Sequence, residues 1–470
     1  MIMNMDTERF RIAVISGKLG DVDGVSLEVD KWIDILSSLG HEIYTIAGVY
    51  GSNLKSVPEE RRYTVDSIRF TSEEQRAFET QVFPHMLKHP PYLSEEGKRA
   101  LLHQLEALGS RTANVILEYI RDNDIDVLIA ENTNAMPMTL IGGTAVYKLA
   151  VEQRIATIFH HHDFWWERSR FSHNHIDTLL NRIMPPADPG LEHVVISSYS
   201  AHILRSLKRV QPRVIPNCED FEHAVGIDEY NADFRSSLGF SEEDVLIVQP
   251  TRIVRRKRIE DSLALISRLA AKYRDLEGRI QFVISLYQGD EPDENYIDYI
   301  RGIAESMNIP LHMISDWVSA ERGVDEEGRK QYTSRDVLAH ADIVTYLPVW
   351  EGFGNALLEA TAARVPVVTT TYLVYKTDIK IMGFDNIEIR DVYDDEGRLV
   401  IPERAVDEMY RLLNNPEERK RIVEKNFRIA RKEFGFKKLK KELEDLLKEY
   451  APEILASRNR IEKGKRSYSV

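Results

Sequence analysis

The sequence has only one cysteine, Cys218, among its 470 residues. A single cysteine cannot form an internal disulfide, which excludes the disulfide-stabilised secreted domains and favours a reducing compartment. No apolar run reaches the roughly 18 residues that a membrane-spanning helix needs. Residues 1–11 are polar and charged and lack the apolar core of a signal peptide. We therefore predict a cytoplasmic protein without integral membrane association.

The chain also lacks an excess of positive charge, because its formal net charge is −14. This charge argues against nucleic acid or an anionic membrane as the main partner. Hydrophobic residues make up 43% of the chain and aromatic residues 9%, which is typical of a soluble globular enzyme. A chain of 470 residues is too long to fold around a single hydrophobic core of ordinary size, so we expect two domains. The sequence leaves open whether the chain forms homo-oligomers.

Short apolar segments alternate with helical patterns from the start of the chain. Residues 12–16 are apolar, residues 17–24 form a glycine-containing loop, residues 25–39 have helical spacing, and residues 41–47 are apolar again. A strand, a loop, a helix and a strand in this order open a doubly wound α/β domain. The loop lacks the G-x-G-x-x-G spacing, so the dinucleotide-binding fingerprint is absent.

A second α/β series starts at residue 245. We therefore predict an α/β protein with two Rossmann-like, doubly wound domains, at residues 1–217 and 218–444. Residues 403–460 have a charged helical pattern. We expect the last helix to return to the first domain, with residues 445–470 packing against it.

Residues 349–360 connect an apolar strand pattern to an alanine- and leucine-rich helix through Gly352 and Gly354. Glycines let the backbone approach a ligand, and a helix N-terminus offers free N–H groups and a positive dipole to phosphate. Glu351 and Glu359 lie at the two ends of this turn, without an obvious basic partner nearby in sequence. Carboxylates placed there can accept hydrogen bonds from sugar hydroxyls. The alternative is an ordinary β-turn-α connection with two solvated glutamates.

Arg252 and Lys257 bracket the turn that follows the first strand pattern of the second domain. A planar guanidinium and a flexible ammonium separated by a short turn suit a diphosphate. A solvated basic loop is the alternative interpretation.

Three histidines, His160, His161 and His162, follow the apolar segment 156–159. Adjacent residues on an extended chain point to opposite faces, and the i,i+4 spacing that directs two imidazoles at one ion is missing. We therefore predict no metal site. A histidine at a strand end beside an aspartate could orient a hydroxyl or transfer a proton. This favours His162 with Asp163 as a functional pair, and a structural histidine cluster is the alternative.

Taken together, these segments resemble the retaining glycosyltransferases of family 4, which have the two-domain GT-B fold. The most specific match is the spacing from Glu351 to Glu359, which is the E-x7-E motif of that family within its E-G-F-G context. Residues 251–257 are similar to the G-R-x4-K segment of the family, with Thr251 in place of the usual glycine.

Two further segments match the family with departures. Residues 216–220 look like the P-N-G-x-D hinge, with Cys218 in place of glycine and one extra residue before the aspartate. Gly24 matches the glycine loop of the first domain, although Asp23 stands where glycine is common. The four matches occur in the order of the family and span roughly residues 11–450.

The resemblance implies two domains that face a cleft, with a nucleoside diphosphate sugar as the donor substrate in the second domain. Glu351 would bind hydroxyls of the donor sugar, Glu359 the ribose hydroxyls, and His162 the 6-hydroxyl of the transferred sugar. Arg252 and Lys257 would hold the diphosphate and stabilise it as it leaves. Catalytic roles are thus implied for Arg252, Lys257, Glu351 and His162. Further contacts with the donor are implied for Gly24, Gly352, Phe353, Gly354 and Asn355.

The acceptor substrate would bind to the first domain. The candidate residues lie at its strand ends and are Asn132, Asn134, His161, Asp163, Trp166 and Arg168. Their aromatic and cationic side chains favour a small, hydrophilic, anionic acceptor, such as a glycosylglycerate or a sugar phosphate. Within the family this indicates a soluble product of the mannosylglucosylglycerate or sucrose-phosphate kind. Packing is the alternative role for Trp166.

The resemblance also implies a front-face displacement, in which the leaving phosphate accepts the proton of the acceptor and no cofactor or metal is required. No carboxylate nucleophile is evident, so we do not predict a covalent intermediate. The motifs leave open whether mannose or glucose is transferred, and whether it is carried by GDP, UDP or ADP. Two alternatives are a GT-B-like sugar-nucleotide epimerase and a non-catalytic protein that binds a sugar nucleotide.

Overall fold

The computed structural model describes residues 8–21, 24–51, 54, 56–84, 92–286 and 294–468. The chain divides into two compact units. Unit 1 comprises Met1–Pro216 and Leu439–Val470, and unit 2 comprises Asn217–Lys438. The predicted domain boundaries, after residues 217 and 444, lie slightly further along the chain.

Unit 1 is built on a seven-stranded sheet. Its strands are β1 (Arg11–Ser16), β2 (Glu42–Ala47), β3 (Arg62–Thr64), β4 (Val127–Glu131), β5 (Ala156–His161), β6 (Glu192–Val195) and β7 (Arg213–Val214). All pairs are parallel, and the order is β3-β2-β1-β4-β5-β6-β7. Such an order is doubly wound, and its first strand lies near the middle of the sheet.

Helices cover the sheet of unit 1, as parallel sheets require. They are α1 (Gly24–Ser38), α2 (Glu73–Val82), α3 (Glu95–Asp122), α4 (Leu140–Tyr147), α5 (Ser169–Ser172), α6 (Asp177–Ile183) and α7 (Ser198–Lys208). A π-helical turn, Lys148–Glu152, extends α4. The apolar strand residues are buried, with Ile12, Leu128 and Ile158 fully inaccessible to solvent.

Unit 2 is built on a six-stranded sheet and a separate two-stranded hairpin. The strands are β8 (Val245–Gln249), β9 (Ile280–Ile284), β10 (Leu311–Met313), β11 (Gly323–Val324), β12 (Lys330–Gln331), β13 (Ile343–Tyr346), β14 (Val367–Thr370) and β15 (Ile387–Ile389). The order of the parallel sheet is β10-β9-β8-β13-β14-β15. The predicted α/β class with two doubly wound sheets is therefore confirmed.

The remaining helices are α8 (Phe234–Ser237), α9 (Ile259–Lys272), α10 (Glu294–Ser306), α11 (Ser334–Ala339), α12 (Asn355–Ala362), α13 (Glu403–Asn414), α14 (Pro416–Phe434) and α15 (Phe436–Tyr468). No helix within the described ranges is both long enough and apolar enough to cross a membrane.

The last helix, α15, packs against unit 1, as the sequence predicts. The hydroxyl of Tyr450 is buried and donates to the carbonyl oxygen of Gly190 at 2.9 Å, while it accepts from the backbone N–H of Thr157 at 3.2 Å. About two turns further along the helix, Ser457 accepts from the N–H of Ala156 at 3.0 Å. The guanidinium of Arg458 binds the carboxylate of Asp126 at 2.7 Å. The helix is thus attached to the strand starts of unit 1 by polar contacts.

We expect Tyr450→Phe to lower the free energy of unfolding by about 1–3 kcal/mol, because the buried N–H of Thr157 and carbonyl of Gly190 lose their partner. Urea denaturation followed by circular dichroism measures the change. The control is Tyr299→Phe, since Tyr299 lies on α10 and is 51% exposed. Equal stability of the two variants would contradict the assigned attachment of α15.

Candidate active site

The turn between β13 and α12 in unit 2 has the geometry of an anion-binding loop. Gly354 adopts φ +136°, and α12 begins at the next residue, Asn355. Within the described part of the chain, the backbone N–H groups of Gly352, Phe353 and Gly354 donate to no protein acceptor. Unpaired N–H groups at a helix N-terminus attract phosphate and other anions.

Tyr372 holds this turn in place from the adjacent strand end. Its hydroxyl donates to the carbonyl oxygen of Phe353 at 2.8 Å, and it is fully buried. A Cβ placed on Gly354 would overlap this hydroxyl oxygen, so the close approach of the two segments requires glycine. The ring of Phe353 packs edge-on against Phe434 and is itself buried, which leaves only its backbone for a ligand.

Two cations of the turn after β8 meet Glu351. The ammonium of Lys257 and one guanidinium nitrogen of Arg256, the latter at 2.5 Å, both contact Oε1 of Glu351. Burial by itself raises the pKa of Glu351, but the charges of Lys257 and Arg256 outweigh it and lower the pKa to about 2. The carboxylate, which lacks an obvious basic partner nearby in sequence, is therefore ionised and paired through contacts across the fold.

The turn after β8 is held by Gln249, the last residue of that strand. The side-chain amide of Gln249 donates to the carbonyl oxygen of Lys257 at 3.1 Å and is buried. The ammonium of Lys257 lies 5.2 Å from the ring centroid of Tyr346, at the end of β13. This contact between a cation and an aromatic ring places Lys257 beside the neighbouring strand.

Arg252 is half-buried, and within the described ranges its guanidinium has no hydrogen-bond or ion-pair partner. The neighbouring arginines are engaged elsewhere. Arg255 lies over the ring of Tyr296 at 5.0 Å, and Arg258 binds Asp261 at 2.7 Å. A guanidinium without a carboxylate, close to the buried ammonium of Lys257, is suited to an anionic ligand.

Glu359 lies on α12, half-buried, and accepts a hydrogen bond from the hydroxyl of Ser334 at 3.3 Å. At the start of the same helix, the side-chain oxygen of Asn355 accepts from the amide of Asn217 at 2.7 Å. Asn217 belongs to the hinge-like segment 216–220. The structure therefore links that segment to the glycine turn within unit 2.

In unit 1, a carboxylate and two imidazoles meet at the carboxyl ends of β4 and β5. Glu131 and His160 are aligned in the parallel register of the two strands. Oε2 of Glu131 lies 3.0 Å from Nδ1 of His160, and Oε1 lies 2.5 Å from Nε2 of His162. All three side chains are buried. The ring of Trp32, from α1, stacks on His160 with centroids 4.2 Å apart.

These buried groups change each other's protonation. Burial by itself raises the pKa of Glu131, but the charges of His160 and His162 lower it to about 2. Burial lowers the pKa of His160. Burial also acts to lower the pKa of His162, but the charge of Glu131 outweighs it, so that this pKa is raised. His162 is therefore the imidazole of this cluster that carries a proton more readily than a free histidine.

The partner of His162 differs from the prediction, which paired it with Asp163. The carboxylate of Asp163 instead contacts the guanidinium of Arg168, while His162 contacts Glu131. β5 also extends through His161, so two of the three histidines lie inside the strand rather than after it. The strand alternation directs His161 to the opposite face, where its Nε2 lies 3.0 Å from Nδ1 of the buried His193.

The other predicted acceptor residues have different environments. Asn132 adopts a left-handed conformation with φ 54°, and its side-chain oxygen accepts from the backbone N–H of His162 at 3.2 Å. The amide of Asn134 is instead occupied within unit 1, where it donates to the carbonyl oxygens of Gly143 and Ile183 at 2.8 and 2.9 Å.

Trp166 stacks on Phe164, with ring centroids 4.7 Å apart. Its buried indole N–H has no hydrogen-bond partner among the described residues. Gly24, predicted to contact the donor, is exposed and begins α1. The unusual residue of its loop, Asp23, lies outside the described residues.

Comparison with known proteins connects these residues to a family. Residues 327–428, which contain Glu351 and Glu359, match the family model for glycosyl transferases group 1. The mannosylglucosylglycerate synthase of Thermotoga maritima is 30% identical over 453 residues, which cover 93% of this chain and 98% of that protein. The chain belongs to the group 1 glycosyltransferases. The mannosylglucosylglycerate synthase of Petrotoga mobilis is 27% identical over 447 residues, covering 91% of this chain and 98% of that protein.

Solved structures have the same fold as this glycosyltransferase. The sucrose-phosphate synthase of Thermosynechococcus elongatus has a TM-score of 0.63 at 13% identity, covering 94% of this chain and 99% of that chain. The Anabaena protein HepE, in complex with UDP and glucose, has a TM-score of 0.60 at 12% identity, covering 93% and 99% of the two chains. At these identities the likeness concerns the fold, and it confirms the predicted GT-B fold.

The structure adds three residues to those predicted from the sequence of this glycosyltransferase, namely Arg256, Glu131 and His160. Arg256 shares the carboxylate of Glu351 with Lys257, and Glu131 joins His160 to His162. A usable signal for the histidines was present, because residues two apart on a strand lie on the same face. The pairing of Arg256 with Glu351 joins residues 95 positions apart and has no local signal.

Proposed function

We propose that this glycosyltransferase transfers a mannosyl group from a nucleoside diphosphate mannose to glucosylglycerate, with retention of configuration at the anomeric carbon. The observation that carries the proposal lies in unit 2. There, among the described residues, three backbone N–H groups before the start of α12 have no acceptor, and the buried ammonium of Lys257 contacts Glu351 in the same turn. The guanidinium of Arg252, which acts electrostatically on Lys257, also has no partner among these residues. The mannosyl group and the acceptor are chosen because two full-length relatives are mannosylglucosylglycerate synthases.

The proposed donor site follows from the chemistry of a sugar nucleotide. Its diphosphate carries negative charge and binds between Arg252, Lys257 and the N–H groups of the glycine turn. Glu359 accepts hydrogen bonds from the ribose hydroxyls, and Glu351 accepts from hydroxyls of the sugar. Because Arg256 and Lys257 hold the Glu351 carboxylate, its orientation is set before the donor binds.

The proposed reaction is a front-face displacement. The bond between the anomeric carbon and the diphosphate oxygen breaks first, which leaves an oxocarbenium-like sugar and a nucleoside diphosphate with one additional negative charge on its terminal phosphate. A hydroxyl oxygen of the acceptor then bonds to the anomeric carbon on the same face, and its proton passes to the departing phosphate. Fixed positive charge on Arg252 and Lys257 stabilises the leaving group, so the step needs no Mg²⁺.

The acceptor is assigned to unit 1. The indole N–H of Trp166 offers a donor to the carboxylate of a glycerate group. Asn132 and the pair formed by Asp163 and Arg168 supply further polar groups. Asn134 is not retained in this set, because its amide already makes two hydrogen bonds to the backbone.

Transfer and its selectivity are tested together by mass spectrometry. Purified protein is incubated with GDP-, UDP- or ADP-mannose and with either glucosylglycerate or the uncharged glucosylglycerol. We expect one donor to give a mannosylated glucosylglycerate and much less product from glucosylglycerol, because only the former has a carboxylate. An epimerase would change the donor sugar without an acceptor, which chromatography of the hydrolysed sugar reveals. A non-catalytic binding protein would be stabilised by a donor yet release no nucleoside diphosphate.

The role of Glu359 predicts a binding defect. We expect Glu359→Ala to raise the KM for the donor by about 10–100-fold with little change in kcat, since charged hydrogen bonds to the ribose are lost. Steady-state kinetics at saturating acceptor measure both constants. Glu305→Ala, at an exposed position of α10, is the matched control and should leave KM unchanged. An unchanged KM in the Glu359 variant would remove this residue from the donor site.

The pH dependence follows from Lys257. Burial lowers the pKa of its ammonium to about 8, against the opposing effect of Glu351. The charged form is present below this pKa and is lost as the pH rises through it. We therefore expect kcat/KM for the donor to fall above about pH 8. Lys257→Arg should move the decline beyond about pH 10, because a guanidinium stays charged. The pH profiles of the two proteins test this, and identical profiles would contradict it.

A further inference from the structure

We propose that Glu131, His160 and His162 form a binding site for a divalent transition metal ion, for which Zn²⁺ is the best match. Each residue offers one ligand atom, and the three atoms lie within 4.8 Å of one another. The side chains are 2%, 0% and 6% exposed. The site lies entirely within unit 1, at the carboxyl ends of two neighbouring parallel strands.

The type of ligand selects the type of metal. Two imidazole nitrogens and one carboxylate are a donor set that binds Zn²⁺ with one position left for a further ligand. Imidazole also binds Co²⁺ and Ni²⁺, whereas Mg²⁺ prefers oxygen ligands and keeps its water molecules. Cys218 does not belong to the cluster, so no thiolate takes part.

Charge around the cluster also favours a cation. Glu28, on α1, is 1% exposed and acts electrostatically on both His160 and His162. The ammonium of Lys31 lies 3.2 Å from Glu28 and offsets one negative charge. Asp163 also acts on His162. Two buried carboxylates, Glu28 and Glu131, thus act electrostatically on the imidazoles in the direction that favours positive charge.

The surroundings restrict movement of the ligands. The Trp32 ring stacks on His160 with an angle of 22° between the planes. Asn132, between the two strand ends, adopts φ 54° and holds the backbone N–H of His162 through its side-chain oxygen. Ligands that are held by packing and by hydrogen bonds bind a metal without the cost of ordering flexible side chains.

The hydrogen bonds of the cluster are compatible with this role. Glu131 now bridges both imidazoles, so that a bound ion would replace two shared protons. Metal binding in competition with protons is the usual behaviour of histidine and carboxylate ligands. A cluster that keeps its protons and binds no metal is the competing outcome, and the experiment separates the two.

The test uses the full chain without an affinity tag, dialysed first against a chelator and then against metal-free buffer. Co²⁺ is titrated in, and its visible absorption reports the number and type of ligands. We expect one Co²⁺ per chain, with bands typical of nitrogen and oxygen ligands and without thiolate charge transfer, and displacement by Zn²⁺. Loss of a ligand in His162→Gln or in Glu131→Gln should weaken binding more than about 100-fold.

His161→Gln is the matched control, because His161 lies between the two ligands, is equally buried and faces His193 on the opposite side. This variant should keep the Co²⁺ spectrum. X-ray absorption spectroscopy of the Zn²⁺-loaded wild type is an independent measurement that needs no variant, and it should show two imidazoles and an oxygen ligand. Absence of stoichiometric binding by the wild type, or binding that survives in both ligand variants, would overturn the proposal. The metal measurements use neither donor nor acceptor, so the protein can fail to bind Co²⁺ and still transfer the sugar, or bind Co²⁺ and transfer none.

Discussion

Lys257→Ala lowers kcat by about 10²–10³-fold in our account, because the departing diphosphate loses a buried positive charge that acts at close range. Lys257 is 8% exposed, and its ammonium touches Glu351 at the edge of the glycine turn. Water that entered the vacated space would screen the developing charge less effectively than a fixed ammonium. Release of nucleoside diphosphate, followed at saturating donor and acceptor, measures the loss.

In the Lys257→Ala variant, a loss of folded protein has to be distinguished from a loss of kcat, because removal of one partner of a buried ion pair is destabilising. Arg256 still neutralises Glu351 after the change, which limits this cost. Circular dichroism and the thermal midpoint verify the fold of the variant. Lys272→Ala is the control, because Lys272 is a partly exposed lysine of α9 that pairs with Glu403 and Asp407. A well-folded Lys257→Ala protein with kcat within about 2-fold of the wild type would contradict the role given to this residue.

Gly354→Ala should destabilise unit 2 by about 2–5 kcal/mol and abolish measurable donor binding, because backbone strain and overpacking act together. At φ +136° an L-residue is strained, and the new Cβ would overlap the Tyr372 hydroxyl. Displacement of either segment moves the N–H groups to which we assign the binding of the diphosphate. Urea unfolding and nucleotide titration by calorimetry measure the two effects.

The double variant Gly354→Ala with Tyr372→Phe tests the cause. Removal of the hydroxyl relieves the overlap but leaves the backbone strain, so we expect partial recovery of stability. Gly302→Ala is the control, because Gly302 lies on the exposed side of α10 with nothing near its missing Cβ. That change should stabilise the helix by about 0.5–1 kcal/mol. Equal effects of the two glycine substitutions would contradict the close packing assigned to Gly354.

The sequence predicts most strands of both sheets because their apolar runs are flanked by turns and helical patterns. The apolar segments 12–16 and 41–47 agree with β1 and β2 to within one residue. The short strands β3 and β15 lie at the edges of their sheets and were not predicted. Three residues carry too little alternation to separate a strand from a loop.

The side-chain contacts of the proposed donor site are also only partly predictable from the sequence. The E-x7-E turn and the pair Arg252 and Lys257 are local patterns, so their chemistry is visible in the sequence. The ionisation of Glu351 depends on Arg256 and Lys257, which are brought to it by the pairing of β8 with β13. The pairing of two strands that are distant in sequence depends on the whole fold, so it cannot be recognised from the sequence of either segment alone.

The histidine run shows how a local pattern can suggest the wrong partner. Asp163 is adjacent to His162 in sequence, yet an adjacent residue on an extended chain faces the other way. The true partner, Glu131, comes from the neighbouring strand, 31 residues earlier in the chain. Alternation along β5 and the register with β4 together determine which side chains meet.

The most direct test of the proposed function is a proton NMR time course of the complete reaction. Glucosylglycerate and the α-linked nucleoside diphosphate mannose are mixed with the wild-type protein, with each of the three nucleotides in turn. We expect one donor to give a new α-mannoside signal and one nucleoside diphosphate to be released for each mannoside formed. Added Mg²⁺ should not increase the rate. A β-mannoside as the first product, or no mannoside with any of the three donors, would contradict the proposed function.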